Sequence, residues 1–396
     1  MSEITVVGGV YRERCIWPEW DQIFGSGGRA AAALSSHVAK VTLCSYARQD
    51  VAAAFAPCAS VYGFEFIPAP VDSGISFEYF HSMSSPVIRP PIGRIPHSSP
   101  MEVKAEVVLR FGMLEGTAKV TAERCVYDPQ SAFDPEAFEA NGSTAKHLAI
   151  VGNRSEVLAM AGVDDPAEAA RALIAKGAEV VVVKSGPAGA IVVTKEGESV
   201  VPAYRTDQVW TVGTGDVFAA VFAARWGVHR EDPKYAAELA SLAVANYVET
   251  MGLPSPLPDQ LKASESVPAV TKQGKVYLAS PFFTLGQRWL VDEACRGLRE
   301  LGLDVFSPIH DIGPGPAEVV GPADIEALLT CDRVFAILDG TDSGTVFEVG
   351  YARAKNIPVY ALAQSVSDEE LKMIVGTECR VFGDFVTAMH HTAWRT

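Results

Sequence analysis

The sequence is poor in cysteine, and its cysteines are not arranged in pairs. Seven cysteines are scattered along 396 residues, an odd total with no C-x-x-C spacing. The eight histidines also lack the spacing of metal ligands. This pattern indicates neither a disulfide framework nor a metal centre, and it favours reduced thiols in the cytoplasm.

The sequence also lacks an excess of positive charge and a long apolar run. It has 33 Lys and Arg against 48 Asp and Glu, a net charge of −15. Such a chain lacks the cationic surface that nucleic acids and anionic membranes require. Its apolar runs are shorter than a membrane span, and residues 4–7 form a strand pattern rather than a signal peptide. We expect a small-molecule partner, and neither a nucleic acid polymer nor a membrane.

Composition divides the chain near residue 252. Prolines and glycines are frequent in the segment that follows, which also has a polar Lys-Ala-Ser-Glu-Ser stretch and few bulky apolar residues. This composition is typical of an exposed linker. We predict a domain at 1–252, a proline-rich linker at 253–274 and a second domain at 275–396, each long enough for its own core.

Both domains are predicted to be α/β. In the first, strand candidates rich in Val and Ile alternate with alanine-rich helix candidates, which predicts a largely parallel sheet with helices on both faces. The strand candidates are 4–8, 40–44, 124–127, 147–151, 179–184 and 189–194, and the helix candidates include 29–38, 166–176 and 234–250. Residues 74–81 have the alternation of a strand that covers a site.

Carboxylates follow a predicted strand of the second domain. Residues 333–338 have the pattern of a buried strand that ends at Asp339, and Asp342 and Glu348 follow in a turn and a small-residue helix. In open α/β sheets, ligands bind at the carboxyl ends of the strands. We expect helix dipoles to lower the pKa of Glu348 and keep it ionised, as a nucleophile must be. By itself, the pattern also fits a capped helix with a solvated carboxylate.

A second candidate site lies at Gly-Thr-Gly-Asp, residues 213–216, before an apolar helix at 219–226. Two glycines before a helix bring backbone N–H groups close to an anion, and the helix dipole favours negative charge there. Asp216 beside such an anion site can take the proton of a hydroxyl that attacks a γ-phosphate. Taken alone, the motif also fits an N-capped helix.

Residues 275–381 resemble the nucleoside 2-deoxyribosyltransferases. The likeness is carried by the strand and loop at 276–283 and by the order and spacing of Asp324, Asp342 and Glu348. It implies that Glu348 is the nucleophile that forms a glycosyl-enzyme, that Asp342 holds the sugar hydroxyls, and that Asp324 recognises the base and supplies its proton. It implies no cofactor. The nucleoside-binding residues expected in this domain are Tyr277, Phe282, Asp324, Asp339 and Asp342.

The same resemblance implies a homo-oligomer, because transferases of this family borrow an asparagine from a neighbouring subunit. The comparable stretch here, 370–374, has no asparagine. This difference favours glycosidic cleavage over transfer.

Residues 1–252 resemble the ribokinase-like (PfkB) family of sugar and nucleoside kinases. The glycine- and alanine-rich segment 25–33 is similar to its first signature and 213–216 to its second, with Asp216 in the position of the catalytic base. The resemblance implies ATP and Mg²⁺ as cofactors, with Glu156 supporting the metal indirectly. The residues expected to bind the phosphoryl acceptor are Glu13, Gly27 and Gly28. Those expected to bind ATP and its phosphates are Asn153, Glu156, Lys184, Gly186, Gly213, Thr214 and Gly215.

Two departures from the kinase pattern affect the acceptor. Ala32 stands where the first signature usually has an asparagine, and Trp210 replaces an acidic residue of the second. The interpretation is a bifunctional nucleoside-salvage enzyme: an ATP-dependent sugar or nucleoside kinase joined to an N-glycosidase or deoxyribosyltransferase. The alternative is an N-glycoside hydrolase regulated by a catalytically inactive kinase-like domain that binds nucleotide.

Overall fold

The computed structural model describes residues 2–131, 134–271 and 273–394. The chain divides into two compact units, Met1–Pro268 and Ala269–Thr396. Among the described residues, no helix combines the length and the apolar character needed to cross a membrane.

The first unit is built from strands β1–β13 and helices α1–α7. The strands are β1 (Glu3–Val7), β2 (Arg12–Cys15), β3 (Trp20–Ile23), β4 (Lys40–Ala47), β5 (Glu65–Pro70), β6 (Ser76–Tyr79), β7 (Val87–Arg89), β8 (Met101–Phe111), β9 (Ala118–Asp128), β10 (Thr144–Asn153), β11 (Val180–Lys184), β12 (Ala190–Val193) and β13 (Glu198–Val201). The helices are α1 (Gly25–Leu34), α2 (Gln49–Tyr62), α3 (Arg154–Ala161), α4 (Pro166–Ala175), α5 (Thr214–Phe222), α6 (Pro233–Thr250) and α7 (Pro258–Ala263), with shorter helical turns at Ile92–Arg94, Gly186–Ala188 and Ala223–Val228.

The main sheet of this unit has the strand order β13-β12-β11-β10-β9-β8-β1-β4-β5. Neighbouring strands are parallel from β5 to β11, while β12 and β13 pair antiparallel. A smaller sheet, β3-β2-β6-β7, includes the strand predicted within 74–81. The predicted α/β fold with a mostly parallel sheet is confirmed.

Alternate residues of the central strands pack into two separate cores, one on each face of the sheet. Val6 of β1 and Leu109 of β8 point to a core that holds α1, α5 and α6. Their neighbours Val7 and Val108 point to the opposite core, which holds α3 and α4. Because successive side chains of a strand face opposite sides, helices cover both faces of the sheet.

Part of the segment predicted as an exposed linker is packed into the first unit. Residues up to Pro268 belong to the first unit. Helix α7 lies within it, and Leu261 on this helix is buried in the core. Ser255 is also buried, and its carbonyl accepts a hydrogen bond from Ser36 Oγ at 2.8 Å.

The second unit has one parallel sheet with helices on both sides. Its strands are β14 (Lys275–Ala279), β15 (Asp304–Phe306), β16 (Arg333–Ile337), β17 (Val359–Leu362) and β18 (Arg380–Phe382). Its helices are α8 (Leu285–Glu300), α9 (Pro308–Asp311), α10 (Ala317–Leu329), α11 (Ser343–Ala354), α12 (Asp368–Gly376) and α13 (Phe385–Ala393). The strand order is β15-β14-β16-β17-β18, parallel throughout, as in flavodoxin-like sheets. The α/β fold predicted for this domain is confirmed.

Candidate active sites

The candidate site of the second unit lies at the topological switch point of its sheet. The chain leaves β14 for β15 on one side and later returns to β16 on the other, so a crevice opens between β14 and β16 at their carboxyl ends. Tyr277 comes from β14, Asp339 and Asp342 follow β16, and Glu348 lies on α11. The predicted residues therefore converge where this fold binds ligands.

Glu348 is held by a single strong hydrogen bond. The hydroxyl of Tyr277 donates to Glu348 Oε1 at 2.6 Å. Burial, followed by the charges of Asp324 and Asp342, raises the pKa of Glu348 to about 7, although the Tyr277 hydrogen bond acts in the opposite direction. The expectation that helix dipoles would lower this pKa is wrong. Glu348 lies in the second turn of α11, beyond the free N–H groups, and the half-buried position penalises its charge.

Asp324 approaches the same pair from α10. Its Oδ1 is buried and has no hydrogen-bond partner among the described residues. Burial raises the pKa of Asp324, and its charge raises the pKa values of both Tyr277 and Glu348. A buried polar atom without a partner is costly unless a ligand satisfies it. Asp324 is therefore placed to meet a hydrogen-bonding group of a ligand.

Asp342 caps helix α11. Its Oδ2 accepts hydrogen bonds from the backbone N–H of Thr345 at 2.9 Å and from Thr345 Oγ1 at 3.2 Å. The capped-helix interpretation of the sequence is thus also correct. The cap fixes the direction of the carboxylate, and its role toward sugar hydroxyls stays a prediction.

The carboxylate of Asp339 already accepts hydrogen bonds from within the protein. It accepts them from the backbone N–H groups of Gln364 and Ser365, at distances of 2.6 to 3.0 Å, and from Ser365 Oγ at 2.7 Å. These bonds tie the loop after β16 to the loop after β17. Binding of nucleoside by Asp339 stays a prediction, and its observed contacts are structural.

Aromatic side chains border this site after β14. Phe282 is half-buried, and its ring centroid lies 5.1 Å from that of Phe283. The exposed fraction of Phe283 is 66% and that of Trp289 is 43%. Rings this exposed are not part of the core, and they offer a stacking surface for a planar ligand.

The candidate site of the first unit lies at the carboxyl ends of β9, β10 and β11, which are adjacent and parallel. These strands end at Asp128, Asn153 and Lys184, and Lys184 Nζ donates to Asp128 Oδ2 at 2.5 Å. Lys184 also lies next to Gly215 at the start of α5. Three of the residues predicted to bind phosphates, Asn153, Lys184 and Gly215, therefore lie at the carboxyl ends of these strands.

Asn153 and Glu156 form a capping box at the start of α3. Asn153 Oδ1 accepts from the Glu156 backbone N–H at 2.9 Å, and the Asn153 N–H donates to Glu156 Oε2 at 2.7 Å. Burial and the charge of Asp128 raise the pKa of Glu156 to about 7, partly offset by Lys184. Glu156 is thus fixed beside the Lys184–Asp128 pair, and its indirect support of Mg²⁺ stays a prediction.

Arg29 lies at the centre of the acceptor end of this site. It is fully buried on α1, and its guanidinium donates to Asp216 Oδ2 at 2.8 Å and to the two Glu13 oxygens at 2.5 and 3.3 Å. Its Nε donates to the hydroxyl of Tyr247 at 3.0 Å. Gln130 Nε2 lies 3.4 Å from the other oxygen of Asp216. Both carboxylate oxygens of the predicted base thus have protein partners.

The predicted glycines of this site make close protein contacts. A Cβ on Gly27 would overlap the backbone of Gly8, and one on Gly28 would overlap the ring of Phe55, so both allow α1 to pack tightly. Gly213 has a φ of +82°, and a Cβ there would overlap the side chain of Arg29. Their binding roles, with those of Thr214, whose Oγ1 donates to the Thr211 carbonyl at 3.0 Å, and of Gly186, stay predictions.

Sequence reasoning missed Arg29, Gln130 and Tyr247 as members of this site. A signal for Arg29 was present: it is the charged residue in a run of glycine, serine, alanine and leucine at 25–34. A charge on such a segment is buried with it and must find partners of opposite sign. Gln130 and Tyr247 gave no comparable signal.

Comparison with known proteins gives one family for each unit. The model described as "pfkB family carbohydrate kinase" matches residues 119–260, and "Nucleoside 2-deoxyribosyltransferase" matches residues 276–389. No curated protein matches the chain significantly.

Solved structures resemble about two thirds of the chain. A fructokinase from Vibrio cholerae O395, bound to fructose, ADP and calcium, is 14% identical with a TM-score of 0.50, and the match covers 66% of this chain and 98% of that one. A ribokinase from Thermotoga maritima is 18% identical with a TM-score of 0.49, covering 66% and 99%. A nucleoside kinase from Methanocaldococcus jannaschii is 14% identical with a TM-score of 0.49, covering 66% and 97%. At these identities, the fructokinase match shows the fold alone.

Proposed function

We propose that the second domain breaks the N-glycosidic bond of a nucleoside through a covalent glycosyl-Glu348 intermediate. The chain joins a pfkB-family carbohydrate kinase domain to this nucleoside 2-deoxyribosyltransferase domain. The observation that carries this proposal is the 2.6 Å hydrogen bond from Tyr277 to Glu348, beside the unpartnered Oδ1 of Asp324. One carboxylate is oriented for attack, and a second can hold a proton near the leaving base.

Tyr277 has two effects on the nucleophile. Its hydrogen bond leaves Oε2 of Glu348 as the oxygen for attack on the anomeric carbon, and it stabilises the ionised form against burial. In the first step the C–N bond breaks and a C–O bond to Glu348 forms, with inversion at carbon. In the second step water or another base attacks the same carbon, the C–O bond to Glu348 breaks, and the carboxylate is restored. When water attacks, its proton goes to Asp324, which the first step leaves ionised.

Asp324 is suited to be the proton donor of the first step. Two carboxyl groups that repel each other in a partly buried site tend to share one proton. When Glu348 becomes an ester, its negative charge is lost and Asp324 becomes more acidic. The proton is then released to the departing base at the moment when negative charge develops there.

The same charges set the preferred substrate. Asp324 and Asp342 already raise the pKa of Glu348 through repulsion, so the site disfavours additional negative charge. A nucleoside should therefore be cleaved in preference to its 5′-monophosphate. A clear preference for the monophosphate, measured as kcat/KM, would contradict this part of the proposal.

Hydrolysis is favoured over transfer, because the segment of α12 comparable to the family's asparagine-bearing segment is Glu-Leu-Lys-Met-Ile at 370–374. We further propose that the protein is a homo-oligomer in cytoplasmic nucleoside salvage. Size measurement by light scattering tests the first of these two statements.

For the first domain, two functions are to be weighed. One is phosphoryl transfer from ATP to a sugar or nucleoside, with Asp216 as the base and with Glu156 and Asp128 near Mg²⁺. The other is nucleotide binding without turnover, which regulates the second domain. The pairing of Arg29 with both Asp216 and Glu13 favours the second.

The test is product analysis with a panel of ribo- and deoxyribonucleosides, with and without ATP and Mg²⁺. The expected result is free base and free sugar in both conditions, with the glycosyl adduct on the peptide that contains Glu348 when a slow substrate is trapped. Base release without an adduct would contradict the covalent mechanism. An absence of base release from every nucleoside, by protein shown to be folded, would contradict the proposed activity itself.

A further inference from the structure

We propose that Arg29 is a built-in substitute for the phosphoryl acceptor, so that the first domain binds nucleotide but does not transfer phosphate. The inference deepens the proposed nucleotide-binding function of this domain and rests on that proposal for the binding of nucleotide. The role of Arg29 is argued from its own contacts.

The guanidinium occupies the space between the two carboxylates that the acceptor would need. Glu13 is at the predicted acceptor-binding position and Asp216 at the predicted base position, and Arg29 bridges them with distances of 2.5 and 2.8 Å. All three side chains are buried. A hydroxyl that approached Asp216 would have to displace the guanidinium.

Both oxygens of Asp216 already have a partner within the protein. Oδ2 accepts from Arg29, and Oδ1 lies 3.4 Å from Gln130 Nε2. Burial raises the pKa of Asp216 to about 6, while the charge of Arg29 acts to lower it. A hydroxyl that passed its proton to Asp216 would therefore have to compete with the Arg29 guanidinium for this carboxylate.

Further contacts hold the Arg29 side chain in one position, as is not expected of a mobile side chain. Its Nε donates to Tyr247, and the rings of Trp20 and Phe24 lie 5.9 and 5.6 Å from the guanidinium carbon. Its side chain also packs against Gly213, where no Cβ could fit. All residues of α1 are buried, so solvent is not within reach of the guanidinium.

An arginine that recognised an acidic acceptor would need donors free for it. Four donor contacts of Arg29 are already made to Glu13, Asp216 and Tyr247, so recognition would require both carboxylates to be released. Leaving two buried carboxylates without their cation is strongly unfavourable. The geometry therefore fits a permanent internal partner better than a receptor.

The test is a double-mutant cycle on the full-length protein, read by the thermal transition of the first domain. Asp216→Asn and Arg29→Met should each lower its Tm by several degrees. Asp216→Asn removes one of the two carboxylates that balance the buried Arg29, and Arg29→Met leaves two buried carboxylates without their cation. The double variant Arg29→Met/Asp216→Asn should lose less than the sum of the two. A free catalytic base would behave differently, since Asp216→Asn would leave Tm unchanged or raise it.

A matched control is available in the same domain. Arg48 and Asp50 form an exposed ion pair at 2.6 Å, so Asp50→Asn, Arg48→Met and their double variant make the same changes of charge at the surface. This cycle should show almost no coupling. Equal coupling in the two cycles would overturn the proposal.

Two further measurements separate this proposal from the function on which it rests. Calorimetric titration with ATP and Mg²⁺ should show binding to the wild type, and phosphoryl transfer to sugars and nucleosides should be absent. Turnover that Asp216→Asn abolishes would overturn the substitution by Arg29 while leaving nucleotide binding intact. Strong coupling without any nucleotide binding would support the internal pairing and reject the nucleotide-binding function.

Discussion

The two candidate sites are built from the same materials, carboxylates at the ends of parallel strands, but they differ in how far those carboxylates are satisfied. In the second domain Glu348 has one hydroxyl partner, and Asp324 Oδ1 has none among the described residues. In the first domain Asp216 and Glu13 both accept from a buried guanidinium. A site that awaits a ligand leaves polar atoms unpaired, whereas a site that supplies its own partner does not.

This difference shows why matching motifs do not by themselves establish matching activity. Residues 213–216 retain the glycines and the aspartate of a kinase signature, yet Asp216 accepts a hydrogen bond from the buried Arg29. In the second domain the motif residue Glu348 has a hydroxyl partner, Tyr277, and no cation bound to it among the described residues. Function depends on the state of each side chain as well as on its identity.

The largest effect is expected at the nucleophile. Glu348→Gln keeps the size of the side chain and removes the attacking oxygen's charge, so base release should fall by at least about 10³-fold. The matched control is Glu326→Gln, an exposed glutamate on α10, which should retain wild-type rates. Base release by Glu348→Gln at more than a tenth of the wild-type rate would contradict the role of Glu348 as nucleophile, and with it the contrast between an active second site and a self-paired first site.

A smaller loss is expected at the proton donor. Asp324→Asn can still occupy the buried position but cannot give up a proton, so cleavage should slow by about 10²-fold. The loss should be smallest for nucleosides whose bases are good leaving groups, because these need least protonation. An equal loss for every base, measured across the nucleoside panel, would show that Asp324 only positions the substrate.

Tyr277→Phe should reduce the rate by about tenfold, the value of one hydrogen bond to a charged group. It should also move the pH profile. Activity requires ionised Glu348, so the wild-type rate should rise with pH through about 7. The Tyr277 hydrogen bond lowers the pKa of Glu348, so its removal raises that pKa and moves the acidic limb to higher pH. If the rate falls but the acidic limb of the pH profile does not move, Tyr277 contributes only to packing.

The smallest effect is expected at the cap of α11. Thr345→Val removes the 3.2 Å side-chain hydrogen bond to Asp342 but keeps the backbone one. We expect a loss of about 1 kcal/mol or less in the free energy of unfolding, because one neutral donor is lost. KM should rise a few-fold if Asp342 holds the sugar, with kcat nearly unchanged. An unchanged KM would leave Asp342 with the structural role alone.

The strand ends could be predicted from sequence because their positions follow from topology. A Val- and Ile-rich run before Asp339 or Lys184 indicates a buried parallel strand, and such strands deliver their last residues to one edge of a sheet. Strand β8 escaped prediction, since its first half alternates with Glu and Lys in the manner of a surface segment. The fold depends on patterns of many residues, and it was predicted more fully than any single contact.

The contacts of individual carboxylates could not be predicted, because their partners are distant in the chain. Arg29 meets Asp216 across 187 positions and Tyr247 across 218. The sign of the Glu348 pKa shift failed for a related reason: the depth of burial outweighs the helix dipole, and burial depends on what packs above the helix. Asp339 likewise had no sequence signal for its bonds to Ser365.

Helix α7 determines where the chain can be cut to study the first unit by itself. Leu261 fills the core of the first domain, and the backbone N–H of Arg205 donates to the carbonyl of Val267 at 2.8 Å. A fragment that stops at residue 252 would lack both, leaving a hole in its interior and an unpaired edge near Arg205. A cut after Pro268 keeps these contacts, so a fragment of that length is the one suited to reporting the intrinsic properties of the N-terminal half.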